Sequence, residues 1–489
     1  MTPSIFDPQS GDAGSILAVR RFTMLDQQRF ADLSGDRNPI HVDERAARMT
    51  VAGACVVHGV HLALWVLETL GRDFDLQALC AVNAKFMKFA AVDQELALTM
   101  GSIKGGSRKI DIVANGQSLA SFTLKSGDIG MRDRARLTTA PARPTPDSPD
   151  DPSETEMAGL EGRFTRPAAV RACEAAFPNA SRSLGVNRLV GLALLSSVVG
   201  MVCPGRHSIF SQFQAAFIDA DADDADVDIR ARAHDSRFRL VSLAFAGAGL
   251  KGEVSAYHRF PPVEASLETI AAMVKPREFA ERRALIIGGS RGLGAATAKL
   301  IAAGGGRVTL TYARNLDKAV EIQRELCGRY GADSCQVLEL DVANVGESGL
   351  LATSLDYSHL YYFATPTIAQ NSATILNYVD FAHFSEFYIK GFFEVVSALT
   401  ASGKPLSVLY PSTVYVDKRP KGMTAYAMAK AAGEVLCRDI ERTLPWVTVR
   451  TPRLPRVLTD QTATVPPVPA PEAAEVMLPI LRGEGTGEA

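Results

Sequence analysis

Two groups of residues have the types and spacing to do chemistry. Near the N-terminus, the segment FADLSGDRNPIHVDERAAR sets a carboxylate, Asp36, and an imidazole, His41, on either side of Pro39, which stiffens the loop between them. Adding or removing water across a carbon–carbon double bond beside a thioester moves a proton at one carbon and hydroxide at the next. A carboxylate and an imidazole that share one water can do both. Negative charge develops on the thioester oxygen, and backbone N–H groups where a helix begins near His58 and Gly59, in CVVHGVH, can answer it. The second group lies far along the chain. There the apolar run ALII ends in GGSRGLG, a glycine-rich turn where a strand gives way to a helix, so that backbone can approach a pyrophosphate. In TAYAMAK, Tyr426 and Lys430 stand four apart and share a helix face. The ammonium can then lower the phenol's pKa and hold a ribose, and the phenol can protonate a carbonyl oxygen as hydride arrives.

Alone, an Asp-Arg-Asn-Pro turn followed by His would read as a surface loop closed by an Asx-turn. Here Gly35, Asp36, Asn38, Pro39, His41, Asp43, His58 and Gly59 stand together, and with them the N-terminal part resembles the MaoC-like, (R)-specific enoyl-thioester hydratases. The resemblance implies a hotdog fold, a catalytic pair of Asp36 and His41, and oxyanion donors at His58 and Gly59. The C-terminal part resembles the short-chain dehydrogenase/reductases through the G-x-x-x-G-x-G spacing of Gly288, Gly292 and Gly294, the LDV at Asp341 and Val342, and the Tyr426–Lys430 pair. That resemblance implies a cofactor site on Gly288, Ser290, Arg291, Gly292, Leu293, Gly294, Asp341 and Val342. Tyr426 and Lys430 would serve both cofactor and catalysis. The family's carbonyl-orienting hydroxyl lies thirteen residues before the Tyr, which selects Thr413, whereas residue type favours Ser412; both are carried forward. The usual N-A-G segment is FATPTIAQ here, and the helix Asn of the family's proton relay is replaced near Tyr388 in FYIKGFF.

Cofactor choice is read from TYARN, the end of the second strand, which lacks the Asp or Glu that accepts from an NAD ribose 2′-OH and repels a 2′-phosphate. Arg314 there and Arg291 in the glycine-rich turn are guanidiniums suited to grip a phosphate. NADPH and the reducing direction follow. Neither the cysteines, which form no C-x-x-C pair, nor their spacing suggests a metal.

The elements that must position these residues fall into three parts. The first two read as diverged copies of one unit, a long apolar helix followed by alternating strands. In the first copy the helix is VVHGVHLALWVLETL, followed by AVNAKFMKFA, ELALTMGSIK, KIDIVANG and QSLASFTLKS. In the second, RLVGLALLSSVVGMV precedes SIFSQFQAAFI, DVDIRARAHD, RFRLVSLAFAG and GLKGEVSAYHR, with no acid-plus-imidazole pair at matching spacing; His207 reads as a structural or surface histidine. From about residue 280 strands and helices alternate, which predicts a parallel sheet covered on both faces. The expected fold is therefore an α+β double hotdog followed by an α/β Rossmann-type doubly wound parallel sheet. Its domains are a catalytic hotdog at 1–137, a Pro- and Asp-rich linker at 138–156, a non-catalytic hotdog at 157–262, a linker at 263–279 and the reductase at 280–489.

With 489 residues, 47% of them hydrophobic, the chain can fill several cores. A formal charge of -2 gives no field to draw nucleic acid or anionic lipid. The N-terminus lacks a signal peptide's basic start and apolar run, so no membrane partner and a cytoplasmic place are expected. The combined reading is a two-activity enzyme that reduces a 3-oxoacyl thioester and dehydrates the 3-hydroxyacyl product, its substrate carried on acyl carrier protein or coenzyme A. Any homo-oligomer is expected to form through the reductase. The rival readings are a catabolic hydratase/dehydrogenase, which would want NAD and the missing acid, and a hydratase fused to a non-catalytic NADPH-binding scaffold.

Overall fold

A computed structural model describes residues 3–7, 11–48, 50, 52–130, 137–219, 225–259, 265–313, 315–347, 356–366, 368, 375–459 and 470–484. The chain divides into two compact units, the first running to Pro261 and the second starting at Pro262.

The first unit is built on one eleven-stranded sheet, in the order β1-β3-β4-β5-β2-β8-β11-β10-β9-β7-β6. Its first half comprises β1 (Ile16–Arg21), β2 (Leu79–Phe86), β3 (Glu95–Lys104), β4 (Ser107–Ala114) and β5 (Gln117–Ser126), and its second comprises β6 (Ala142–Arg143), β7 (Glu161–Phe164), β8 (Ser208–Phe217), β9 (Val227–Asp235), β10 (Leu240–Gly247) and β11 (Leu250–His258). The alternation seen in the sequence is the alternation of burial: Leu96, Leu98 and Met100 of β3 point inward with Ile110 and Ile112 of β4 and Phe122 and Leu124 of β5. Each half wraps its sheet around one apolar helix, Gly59–Asp73 in the first and Val186–Ser197 in the second. The second of these is buried on nearly every side, from Leu189 to Ser197, as a helix hydrophobic all round must be. Antiparallel pairing of β2 with β8, Ala84 opposite Phe213, fuses the two copies. The expected double hotdog is present.

The described residues of both expected linkers, 138–156 and 265–279, are instead ordered parts of their units. Within 138–156, Thr138 and Thr145 are buried, β6 pairs with β7, and Ser153 opens a short helix with a capping box to Glu156. Pro and Asp are frequent there because the segment runs as a strap whose backbone bonds to the second half: the Asp150 N–H donates to the Met201 carbonyl and the Arg206 N–H to the Asp150 carbonyl. Within 263–279, the helix Leu267–Met273 and Phe279 belong to the core of the second unit, through Leu267, Ile270 and Val274.

In the second unit, six parallel strands lie side by side in the order Cys335–Glu339, Arg307–Tyr312, Arg283–Ile287, His359–Tyr362, Leu406–Leu409 and Val447–Arg450. The strands are apolar because helices cover both faces. The crossover between the third and fourth of these strands in space marks the switch point where ligands of such sheets sit. Among the described residues of the chain, no single helix is long and apolar enough to cross a membrane.

Candidate active sites

The hydratase-type site begins at the end of the helix Met24–Ser34, whose last turn closes with Gly35 at a φ of 83°. The Asp36 N–H donates to Ser34 Oγ, and the Asp36 carboxylate accepts the Asn38 N–H at 3.2 Å. The Asn38 side chain in turn caps the short helix Pro39–Val42 by accepting the Ile40 N–H, with Pro39 at its first turn, and this turn aims His41 back at Asp36. His41 Nδ1 lies 2.8 Å from the Val56 carbonyl, which can only accept, so Nδ1 carries the proton and Nε2 offers a lone pair.

Burial raises the Asp36 pKa, against the opposing pull of His41, the Ser196 hydroxyl and the Asn38 N–H. Burial lowers that of His41, against Asp36 and the Val56 carbonyl. Burial thus raises the carboxylate's proton affinity and lowers the imidazole's, drawing the two together as suits acid–base partners.

His58 stacks on His41 with ring centroids 3.8 Å apart, and its Nε2 lies 3.0 Å from the Asp36 carbonyl. Gln27 Oε1 stands 2.9 Å from Nδ1 and accepts the His58 backbone N–H at 3.2 Å. Burial, and then His41, hold the His58 pKa well down, so the ring beneath His41 stays neutral. This corrects the expectation that His58 is an oxyanion donor: its backbone N–H faces the Gln27 side chain and its ring secures the Asp36 backbone. The first N–H groups of the helix Gly59–Asp73, Gly59 among them, have no partner within it. Asp36, His41 and His58 offer ligand atoms within 4.8 Å of one another, but the nitrogens of His58 and Nδ1 of His41 are already committed. The set suits proton transfer better than metal binding.

Sequence reading missed what the second half contributes. Ser196, on the buried helix Val186–Ser197, donates to Asp36 Oδ2 over 2.6 Å. The helix then loosens into a π turn, Val198–Val202, that carries Gly200 against the carboxylate: a Cβ there would sit 2.1 Å from Asp36 Oδ1. The Asn38 amide donates to the Gly200 and Gly205 carbonyls at 2.8 and 3.0 Å. Arg166 donates to the Leu33 and Asp32 carbonyls at the end of the helix before the catalytic loop. His207 lies beside Asp151 and His258. The half without a catalytic pair thus holds the other half's pair in place.

In the second unit, Gly288 and Gly292 take φ of 74° and 53°, and the helix Gly292–Ala303 starts at the turn. A Cβ at Gly294 would stand 2.3 Å from the Gly288 carbonyl, so the turn can be this tight only with glycine. This bare backbone at a helix N-terminus, at the end of the central strand Arg283–Ile287, fits a dinucleotide pyrophosphate. Ser290 and Arg291 are half-buried beside it, while Leu293 packs against the core. Asp341 folds its carboxylate onto the Ala343 N–H, and Val342 is a core residue. Arg314 falls outside the described residues.

Tyr426, Lys430 and Glu434 line one face of the helix Thr424–Thr443. The structure separates the two candidate hydroxyls. Ser412 donates to Glu434, whose carboxylate is gripped at both oxygens by Arg453 (2.9 and 2.6 Å). Against burial, which raises it, the bonds from Arg453 and Ser412 keep the Glu434 pKa low. Thr413 instead lies beside Tyr426, its Oγ1 accepting the Tyr415 N–H at 3.2 Å, and Ser412 is corrected from candidate orienting group to partner of the Glu434–Arg453 ion pair. Burial pushes the Tyr426 phenol up to about 12, with Thr413 opposing, rather than the expected lowering by Lys430. The Lys430 ammonium is instead turned to the Pro411 carbonyl at 2.8 Å.

These two constellations define a hotdog dehydratase-type site and a dinucleotide-binding oxidoreductase-type site in one chain. Residues 18–119 match the model of the MaoC like domain and residues 282–465 that of the short chain dehydrogenase, so the chain joins a MaoC-like domain to a short-chain dehydrogenase domain. No curated protein matches the chain. Among solved structures, a short chain dehydrogenase/reductase family protein is 23% identical, covering 41% of this chain and 90% of its own at a TM-score of 0.35. A short chain dehydrogenase from Burkholderia cenocepacia in complex with NADP is 21% identical, covering 41% and 89% at 0.36. A 3-oxoacyl (acyl-carrier-protein) reductase from Agrobacterium tumefaciens with NADP bound is 22% identical, covering 38% and 74% at 0.33.

Proposed function

We propose that this chain reduces 3-oxoacyl thioesters with NADPH and dehydrates the resulting (R)-3-hydroxyacyl thioesters to trans-2-enoyl thioesters, as consecutive steps of fatty-acid or polyketide assembly. The observation that carries this reading is that one unit holds a buried Asp36–His41 dyad and the other holds Tyr426 and Lys430 on one helix face with Thr413 beside them.

At the dehydratase site, Asp36 and the Nε2 lone pair of His41 take a proton from carbon 2 and return one to the hydroxyl leaving carbon 3, so that one water is released between them. The Gly59 N–H faces the oxygen on which charge grows. At the reductase site, NADPH supplies hydride when bound. Gly288, Gly292 and Gly294 leave room for its phosphates, Thr413 orients the carbonyl, Tyr426 protonates its oxygen, and Lys430 holds the ribose. Choice of NADPH rests on the absence of an acid in TYARN and on Arg291 and Arg314. The thioester is carried on acyl carrier protein or coenzyme A, and the protein works in the cytoplasm.

The test is incubation of the full chain with 3-oxoacyl thioesters on either carrier and either nicotinamide cofactor, with products read by mass. Asp36→Asn should stop the sequence at the 3-hydroxyacyl thioester, with dehydration slowed by about a hundredfold or more and ketoreduction nearly intact. Equal loss of both activities would refute two separate sites.

A further inference from the structure

Lys430 is 6% exposed, and two aromatic rings face its ammonium. Its Nζ lies 3.9 Å from the centroid of the Tyr388 ring and 4.8 Å from that of Tyr410, besides donating to the Pro411 carbonyl. Both phenol oxygens are engaged elsewhere: Tyr388 with the Thr365 hydroxyl, and Tyr410 with the Tyr388 carbonyl at 3.1 Å. The rings therefore present faces, not oxygens, to the ammonium. Tyr388 reaches this place from a π turn, Glu386–Gly391, that interrupts the run of helix between Tyr378–Ser385 and Phe392–Thr400. Tyr388 and Tyr410 are each among the largest fully buried side chains of the chain, so the seat is dry. An ammonium over an electron-rich face is stabilised as a cation, most strongly where water is shut out. Burial acts the other way and brings the Lys430 pKa down to about 7, with Cys437 and Glu434 opposing it.

Resting on the reductase reading above, we propose that Tyr388 is a positioning residue: its ring is the seat that keeps Lys430 charged and aligned for a dinucleotide ribose, and the hydroxyl is dispensable for this. The groups that face the ammonium are Tyr388 on the π turn, Tyr410 and Pro411 after the strand Leu406–Leu409, and Glu434 and Cys437 on its own helix. Of these, Glu434 is already held by Arg453 and Ser412, which leaves the rings as the groups that can tune Lys430 without disturbing an ion pair.

The test compares Tyr388→Phe, which keeps the face, with Tyr388→Leu, which removes it, in the full chain. In protein labelled with 13C-lysine and assigned with Lys430→Arg, the Lys430 ε-carbon titration reads the seat without any cofactor. Its midpoint should fall by about one pH unit in the Leu variant and stay in place in the Phe variant, since a desolvated cation–π contact changes protonation about tenfold. NADPH affinity, followed by fluorescence, should weaken about tenfold at neutral pH in the Leu variant and stay within about twofold in the Phe variant. An unmoved midpoint in the Leu variant overturns the proposal, as does a Phe variant that behaves like the Leu one. Failure of the reductase reading shows differently: ketoreduction would be missing from the unmodified chain while the Lys430 midpoint still moved with the ring. Should the Leu variant misfold, the Phe variant and Tyr388→Trp, which restores a face, decide the same question.

Discussion

Removing the Ser196 hydroxyl should raise the pH at which acid shuts down the dehydratase site. Ser196 donates to Asp36 Oδ2 over 2.6 Å, and each residue is only 2% exposed. Burial already raises the Asp36 pKa, and the Ser196 bond is one of the contacts opposing that rise. A hydrogen bond to a charged group is worth about 1.5–3 kcal/mol, so its loss moves the Asp36 midpoint upward by about one to two pH units. The direction follows because the hydroxyl favours the carboxylate over the acid. Asp36 must be ionised to help hold the water, so activity that is complete above the midpoint should be lost at a higher pH in Ser196→Ala.

The assay is the initial rate of hydration of a trans-2-enoyl thioester by the full chain across pH, followed by loss of the conjugated absorbance. Ser196→Thr, which keeps a hydroxyl, should return the acid limb toward its original place. Ketoreduction in the same preparations serves as the internal control and should keep its rate. If the acid limb of a well-folded Ser196→Ala protein coincides with that of the unmodified chain, the second half of the first unit does not tune Asp36.

Gly200→Ala should abolish hydration while sparing ketoreduction, because the added Cβ would lie 2.1 Å from Asp36 Oδ1 and the carboxylate must move; a variant at full hydration rate would show that the contact yields freely. Thr413→Ala should slow ketoreduction by about two orders of magnitude, as losing one transition-state donor does, and Ser412→Ala by much less; the reverse ranking would reinstate Ser412. NADPH should bind more tightly than NADH, and Arg314→Asp should erase or invert the preference in a fluorescence titration of both cofactors. Tighter NADH binding by the unmodified chain would revive the catabolic reading.

The elements were largely legible because each follows a local rule. The strands of both hotdog copies are alternating runs, and β8 to β11 fall within the segments whose patterning predicts them. The glycine-rich turn is local as well, since strand, turn and helix are contiguous. The two linkers depart from expectation for a physical reason: composition reports the apolar area a segment can bury, but a strap such as 138–156 is held largely by backbone bonds to its neighbours and by a few polar side chains. The helix Leu267–Met273 is too short to show a face by periodicity, yet it places Leu267 and Ile270 in a core.

The sites were legible only where their residues are close in sequence. Asp36, Asn38, Pro39 and His41 form a motif, but Ser196 and Gly200 act on Asp36 from more than a hundred residues away, through the pairing of β2 with β8 and the loosening of a helix into a π turn. A serine and a glycine inside an apolar helix read as small residues that permit close packing, and that is also what they are. The second copy carries no dyad of its own, yet its helix still touches the catalytic residue. Glu434 gives the parallel case in the other unit. Its spacing from Tyr426 and Lys430 puts it on their face of the helix, which was visible, but only Arg453, from a separate strand, makes a buried carboxylate tenable there and so leaves Ser412 engaged and Thr413 beside Tyr426. Choosing between two adjacent hydroxyls therefore required knowing where a third residue's charge is neutralised, a fact about tertiary structure that no spacing rule contains.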